Sequence, residues 1–200
     1  MSQQPEISQF GKPTGAQGEE VGRLMADGNR AINAWTISLM GIKANDNVLE
    51  IGFGPGVAIQ ELDRLSLARF IAGIDHSEVM LAQAATRNAR AIQDGRVELR
   101  LGSISALPFQ EPTFDKVFSV NSFQFWPEPL TNLAEIRRTM NPNGLIAITI
   151  QPRWATTEQM VDEVGDQLVQ LLSKSSFRSI RLEKKELEPM SAVCALGSHN

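Results

Sequence analysis

The chain has 200 residues, 42% of them apolar, enough for one domain with a real core and too few for a second of similar size. A formal net charge of -4 argues against a general nucleic-acid binder, which needs a basic face to displace counterions. The single cysteine, Cys194, allows neither an internal disulfide nor a thiolate metal site, so no metal is expected and a reducing, cytoplasmic setting is.

Residues 1–17 are polar and rich in Gln, Gly and Pro, and read as a flexible arm. The start lacks a basic stretch followed by an apolar one, and no apolar run reaches membrane-spanning length, so no membrane span is expected. Over residues 18–41, Val21, Leu24, Met25, Ile32, Trp35 and Leu39 recur at helical spacing, broken at Asp27-Gly28-Asn29. This helical preface is expected to pack at the sheet edge or to act as a lid over a crevice.

Val48-Leu49-Glu50-Ile51 is a short apolar run interrupted by one carboxylate, as in a strand covered on both faces. It runs into Gly52-Phe53-Gly54-Pro55-Gly56, and Val57, Ala58, Ile59, Leu62 and Leu65 then form a helical stripe. Phe70 to Ile74 is a second strand ending in Asp75, and Ser77 caps a helix running to about Gln93. Val97 to Leu101 is a third strand, closed by Gly102-Ser103-Ile104. After a turn at Gln110 to Thr113, Phe114 to Val120 is a fourth, opening into Asn121-Ser122. A helix over 129–140 turns Leu130, Leu133, Ile136 and Met140 inward, and Asn141 to Gly144 turns the chain into a fifth strand, Leu145 to Ile150. Met160, Val164, Leu168, Leu171 and Leu172 mark a last helix. Phe177 to Glu188 and Met190 to Leu196 read as an antiparallel hairpin turning at Glu188-Pro189.

Strand and helix alternate, which predicts a Rossmann-like doubly wound α/β sheet of seven strands, mostly parallel with a C-terminal antiparallel hairpin. One domain spans 1–200, with its core over 46–197. Ligands of such sheets bind outside the carboxyl ends of the strands, where the strand order reverses. The residues at those ends are Glu50 with its glycine loop, Asp75, Gly102-Ser103-Ile104 and Asn121-Ser122. A dinucleotide fingerprint wants its third glycine where Val57 stands, which disfavours a nicotinamide-dependent oxidoreductase.

Glu50-x-Gly52-x-Gly54-x-Gly56 instead resembles the first motif of class I S-adenosylmethionine-dependent methyltransferases. The likeness extends through Gly102-Ser103-x-x-Ala106-Leu107-Pro108-Phe109, Phe114-Asp115-Lys116-Val117 and Met140-Asn141-Pro142-Asn143-Gly144-Leu145, segments similar to those of the small-molecule branch. The resemblance implies that S-adenosyl-L-methionine binds and S-adenosyl-L-homocysteine leaves. It places Glu50, Gly52, Phe53, Gly54 and Gly56 near the methionine part and Asp75 at the ribose hydroxyls. His76, Met80, Gly102, Ser103 and Ile104 fall around the adenine, and Asn121 and Ser122 complete the slot. Serine at 103 departs from the family's usual aspartate.

Two readings stand: an enzyme that methylates a small molecule, and a non-catalytic cofactor-binding module with a regulatory or assembly role. No residue is assigned as a general base, because only His76 and His199 exist and neither is well placed for it. The acceptor chamber is expected to draw on Trp35, Phe123, Trp126, Arg153 and Trp154, with Phe10 and Phe125 as further walls. The acceptor's identity and the oligomeric state are not legible in the sequence.

Overall fold

The computed structural model describes residues 8–109 and 112–199. The first seven residues of the expected arm, and Gln110 and Glu111 of the expected turn, lie outside that range. Seven strands form one sheet: β1 (Asn47–Ile51), β2 (Phe70–Asp75), β3 (Val97–Leu101), β4 (Phe114–Val120), β5 (Met140–Ile150), β6 (Arg178–Lys185) and β7 (Ala192–Ser198). Their order is β3-β2-β1-β4-β5-β7-β6. The first five run parallel, and β7 pairs antiparallel with both β5 and β6. The Rossmann-like sheet and its closing hairpin are therefore as the sequence predicts, and strand order reverses between β1 and β4.

Eight helices accompany the sheet among the described residues: α1 (Ser8–Gly11), α2 (Gly15–Gly28), α3 (Arg30–Leu39), α4 (Val57–Arg64), α5 (Glu78–Arg87), α6 (Ala89–Gln93), α7 (Pro129–Thr139) and α8 (Glu158–Lys174). Ile32 and Ile37 of α3, Ile59 and Leu62 of α4, and Met80 and Ala84 of α5 cover one face, packing on Val48, Ile71 and Phe118. Leu133 and Ile136 of α7, with Val161, Leu168 and Leu172 of α8, cover the other, packing on Leu49, Val117 and Ile148. Both faces are covered, so the near-continuous apolar strands bury on both sides.

Several boundaries differ from the sequence reading, each for a local reason. Residues 8–17 hold α1 and the start of α2, where an arm is expected. The preface breaks at Asn29, as the Asp-Gly-Asn run predicts, but α3 is a core helix. The helix after Ser77 is interrupted at Asn88, whose Nδ2 donates to the Gly56 and Ala84 carbonyls. β5 begins at Met140, paired with Phe114; the Asn141–Gly144 turn becomes an irregularity in the ladder, with Asn143 left-handed. Leu130, in the first turn of α7, is exposed rather than inward. On α8 the buried stripe is Val161, Gly165, Leu168 and Leu172, which leaves Met160 at the surface.

Candidate functional site

The four strand ends singled out by the sequence stand side by side, because β3, β2, β1 and β4 are neighbours in that order. Backbone bonds lock them: Gly52 N–H donates to the Ile74 carbonyl and Gly102 N–H to the Asp75 carbonyl, both at 2.8 Å. The Ser122 hydroxyl donates to the Ile51 carbonyl at 2.9 Å. One edge of the sheet thus gathers Glu50, Asp75, Ser103, Asn121 and Ser122.

The glycines have separate tasks. All three hold positive φ, but a side chain at Gly52 would lie 2.5 Å from the Ser122 Cβ, and one at Gly56 2.7 Å from the Ala84 Cβ. Those two are small because protein packs against them. Gly54 alone faces open space, with nothing within 4 Å of the point a Cβ would occupy, and it is the place where a ligand can approach the backbone.

Glu50 is 3% exposed and its Oε2 has no hydrogen-bond partner. Burial pushes its carboxyl well above the usual range, and the Asp75 carboxylate adds to that push. Asp75, 8% exposed, is raised by burial too, opposed by the N–H groups that it accepts. Its Oδ2 takes Gly54 N–H at 2.8 Å and its Oδ1 takes Ser77 N–H at 2.9 Å. A carboxylate oxygen can accept a further bond, so both remain able to receive hydroxyl donors. Two carboxyls held together in a dry place fit a ligand that brings positive charge and vicinal hydroxyls. The residues present therefore suit S-adenosylmethionine, a sulfonium with an ammonium group and a ribose.

The chain before α2 crosses above these ends. The Ser77 hydroxyl, after β2, donates to the Pro13 carbonyl at 2.6 Å. At Gly11 an added Cβ would lie 3.1 Å from the ring of Phe125, in the 3-10 turn Phe123–Phe125 after β4. From Gly11 to Pro13 the chain therefore runs from the β4 end to the β2 end, the two strands that flank β1. Of the preface over residues 18–41, α2 packs on α5, and α3 packs on α4 and the sheet.

The remaining sequence-selected residues divide. His76 and Ser103 are exposed beside the slot and Ile104 is half-buried. Phe53 and Met80 are buried in the core, and the Met80 methyl lies 2.7 Å from where a Cβ on Gly22 of α2 would stand. Ser122 is engaged with Ile51, Ser119 and the Trp126 indole. Trp126 is buried and Phe123 packs on it, ring centroids 5.0 Å apart; Trp35 packs against the α3 side of the core. Arg153 and Trp154 are exposed just after β5, Phe125 is exposed just after β4, and Phe10 is exposed just before the Gly11 that meets Phe125.

Asn121 joins the tip of β4 to the preface. Its Nδ2 donates to Asn29 Oδ1 at 3.1 Å and its Oδ1 accepts Gln151 N–H at 2.8 Å. Asn29, Gln151 and the Pro13 carbonyl are participants that sequence reasoning passed over. Gln151 carried a signal, a polar residue directly after an apolar strand at the ligand-binding end of the sheet. A cleft of about 780 Å³ lies elsewhere, lined by Glu19, Arg23, Gln60 and the outer face of α5 rather than by the strand ends. Among the described residues no helix is long and apolar enough to cross a membrane, and no group of three or more His, Cys, Asp or Glu is placed to hold a metal ion.

Comparison with known proteins agrees with this geometry. Residues 49–148 match the methyltransferase domain family. An uncharacterized methyltransferase, YdaC of Bacillus subtilis, is 35% identical over 175 residues, covering 87% of this chain and 94% of that protein. The 27-O-demethylrifamycin SV methyltransferase of Amycolatopsis mediterranei is 28% identical, over 77% of this chain and 58% of that protein. In fold, the chain is similar to a SAM-dependent methyltransferase from Aquifex aeolicus, with a TM-score of 0.72 at 20% identity, covering 91% of this chain and 98% of that one.

Proposed function

Because the chain belongs to the methyltransferase domain family, as a class I S-adenosylmethionine-dependent methyltransferase, we propose that its methyl acceptor is a small molecule, received at the rim between β1, β4 and β5. Similarity to a methyltransferase named for 27-O-demethylrifamycin SV supports that class of acceptor. The observation that carries the site assignment is Glu50: a buried carboxyl with an orphaned oxygen, beside Asp75 and next to Gly54, the one glycine of the 52–56 loop that faces open space.

When bound, the cofactor supplies an electrophilic methyl carbon: the acceptor's lone pair forms the new bond while the carbon–sulfur bond breaks and leaves its electron pair on sulfur, giving S-adenosylhomocysteine. The chain's own task is positioning and water exclusion. Glu50 receives the donor's ammonium group and Asp75 the ribose hydroxyls, with Gly54 allowing the approach. His76, Ser103 and Ile104 border the adenine. Gly11 to Pro13 covers the slot, and Asn121, through Gln151 and Asn29, holds the rim around the acceptor. No strong base is assigned, so the acceptor's proton passes to water or to the acceptor's own neighbouring groups.

The test is calorimetry with S-adenosylmethionine and S-adenosylhomocysteine on the wild type and Asp75→Ala, followed by radiolabelled methyl transfer to a panel of small molecules, with a protein and an RNA as contrasts. Binding that Asp75→Ala weakens, with transfer confined to small molecules, is the expected result. Transfer to the protein or RNA alone would overturn the acceptor class, and unaltered binding by Asp75→Ala would overturn the ribose assignment.

A further inference from the structure

The described residues expose only three Phe or Trp side chains, and all three lie at the carboxyl-end rim of the sheet. Phe125 follows the carboxyl end of β4, Trp154 follows that of β5, and Phe10 precedes the Gly11 to Pro13 crossing that touches Phe125. The other nine are buried or half-buried. Trp154 is 53% exposed, the most exposed of the three. Large apolar surface gathered at a ligand-binding edge marks the place where an apolar body is received.

Next to Trp154 in the chain, after the carboxyl end of β5, stands a cation without an ion-pair partner among the described residues. Arg153 is held at two points, its Nε donating to Gln151 Oε1 at 3.2 Å and its Nη2 to the Gly28 carbonyl at 3.1 Å. Both acceptors are neutral, and Arg153 forms no ion pair among the described residues. Its Nη1 makes no hydrogen bond among the described residues. Lys12, exposed in the covering stretch, adds a second positive charge to the same rim. In a chain of net charge -4, a positioned guanidinium without a carboxylate, on the same rim as the exposed rings, suits an anion.

We propose that the methyl acceptor is an amphiphilic oxyanion: an apolar ring or chain lies against Phe125, Trp154 and Phe10, and its carboxylate or phosphate pairs with Arg153. This rests on the methyl-transfer reading and deepens it. The oxyanion is an anchor, and the atom that is methylated belongs to another part of the acceptor. The competing role for Arg153 is purely structural, because Gly28 is the last residue of α2 and a cation there steadies the helix's carboxyl end.

The experiment loads the protein with S-adenosylhomocysteine and titrates it by calorimetry with phenylacetate, phenyl phosphate and the neutral phenylacetamide, up to millimolar concentrations. Phenylacetate or phenyl phosphate should bind at least about tenfold more tightly than the amide, and the tighter of the two names the anchor. Arg153→Gln should erase that preference while S-adenosylhomocysteine affinity stays within about threefold, and Arg153→Lys should restore part of it. Trp154→Ala should weaken acid and amide together and keep their ratio. Should Arg153→Gln fail to fold, the wild-type preference must still shrink as salt is raised. Equal binding of acid and amide, no binding of either oxyanion, or a preference that survives Arg153→Gln would overturn the proposal. Failure of S-adenosylhomocysteine to bind the wild type would instead overturn the donor site beneath it.

Discussion

The Ser77 hydroxyl donates to the Pro13 carbonyl at 2.6 Å and at the same time receives Met80 N–H at 3.3 Å, so one side chain both caps α5 and fastens the chain that crosses the strand ends. Ser77→Ala removes both. Loss of an N-cap costs about 1 kcal/mol, and denaturant titration should show a fall of that order. The crossing also loses its anchor at the β2 end, so S-adenosylhomocysteine should leave faster, measured by stopped-flow release.

Glu50 makes the ligand-free protein sensitive to pH. Burial raises its folded-state pKa above the unfolded value near 4.5, and Asp75 raises it further. The protonated group therefore contributes stability that is complete below the unfolded pKa and is lost as pH rises through the folded one. Unfolding midpoints of the ligand-free protein should fall over that interval, and Glu50→Gln should flatten the fall and raise stability at neutral pH. Binding of a cationic donor demands the ionised form, so wild-type affinity should increase with pH across the same range and protons should be released. Calorimetry in two buffers of different ionisation enthalpy measures that release, and Glu50→Gln should lose it along with affinity.

Alanine at the three loop glycines should separate fold from ligand. Each substitution forces a left-handed alanine, worth about 1–2 kcal/mol. Gly54→Ala meets nothing else, so its stability loss should stop there, while the added methyl enters the ligand's space and S-adenosylhomocysteine affinity drops sharply. Gly56→Ala meets the Ala84 Cβ and Asn88 Nδ2 at 2.7 Å and should cost clearly more in stability. Thermal melts and calorimetry on the pair check the ordering.

The legible parts of this fold are those with a local signature. Strands β1, β2 and β5 announce themselves by apolar runs and β3 by alternation, and a polar or glycine residue stands at or just beyond each tip, so the row from Glu50 to Asn121 could be read before any tertiary contact was known. Phe10 to Pro13 had no such signature. Its crossing is made by a backbone carbonyl and by a ring lying on a glycine, neither of which leaves a trace in hydrophobic spacing. Gly18 and Gly22 of α2 did leave one: they stand four apart on a helix face, and Gly22 is small because the Met80 methyl would lie 2.7 Å from a Cβ there. The same limit explains Trp126 and Met80, which follow strand ends in sequence yet point into the core.

Asn121 offers a way to separate backbone from side chain at the rim. It sits at φ +53°, in the region that asparagine and glycine tolerate, while both ends of its amide are bonded. Asn121→Gly removes the two bonds and relieves the dihedral, whereas Asn121→Ala removes the same bonds and keeps the strain. Alanine should therefore be less stable than glycine by about 1 kcal/mol in denaturant titrations. Both variants free the Asn29 side chain and the Gln151 amide, so amide hydrogens in the first turn of α3 should exchange faster in each, to a similar extent. If Asn121 also frames the acceptor, turnover should fall alike in both variants while S-adenosylhomocysteine affinity holds. A fall confined to alanine would make the dihedral, not the amide, the feature that matters there.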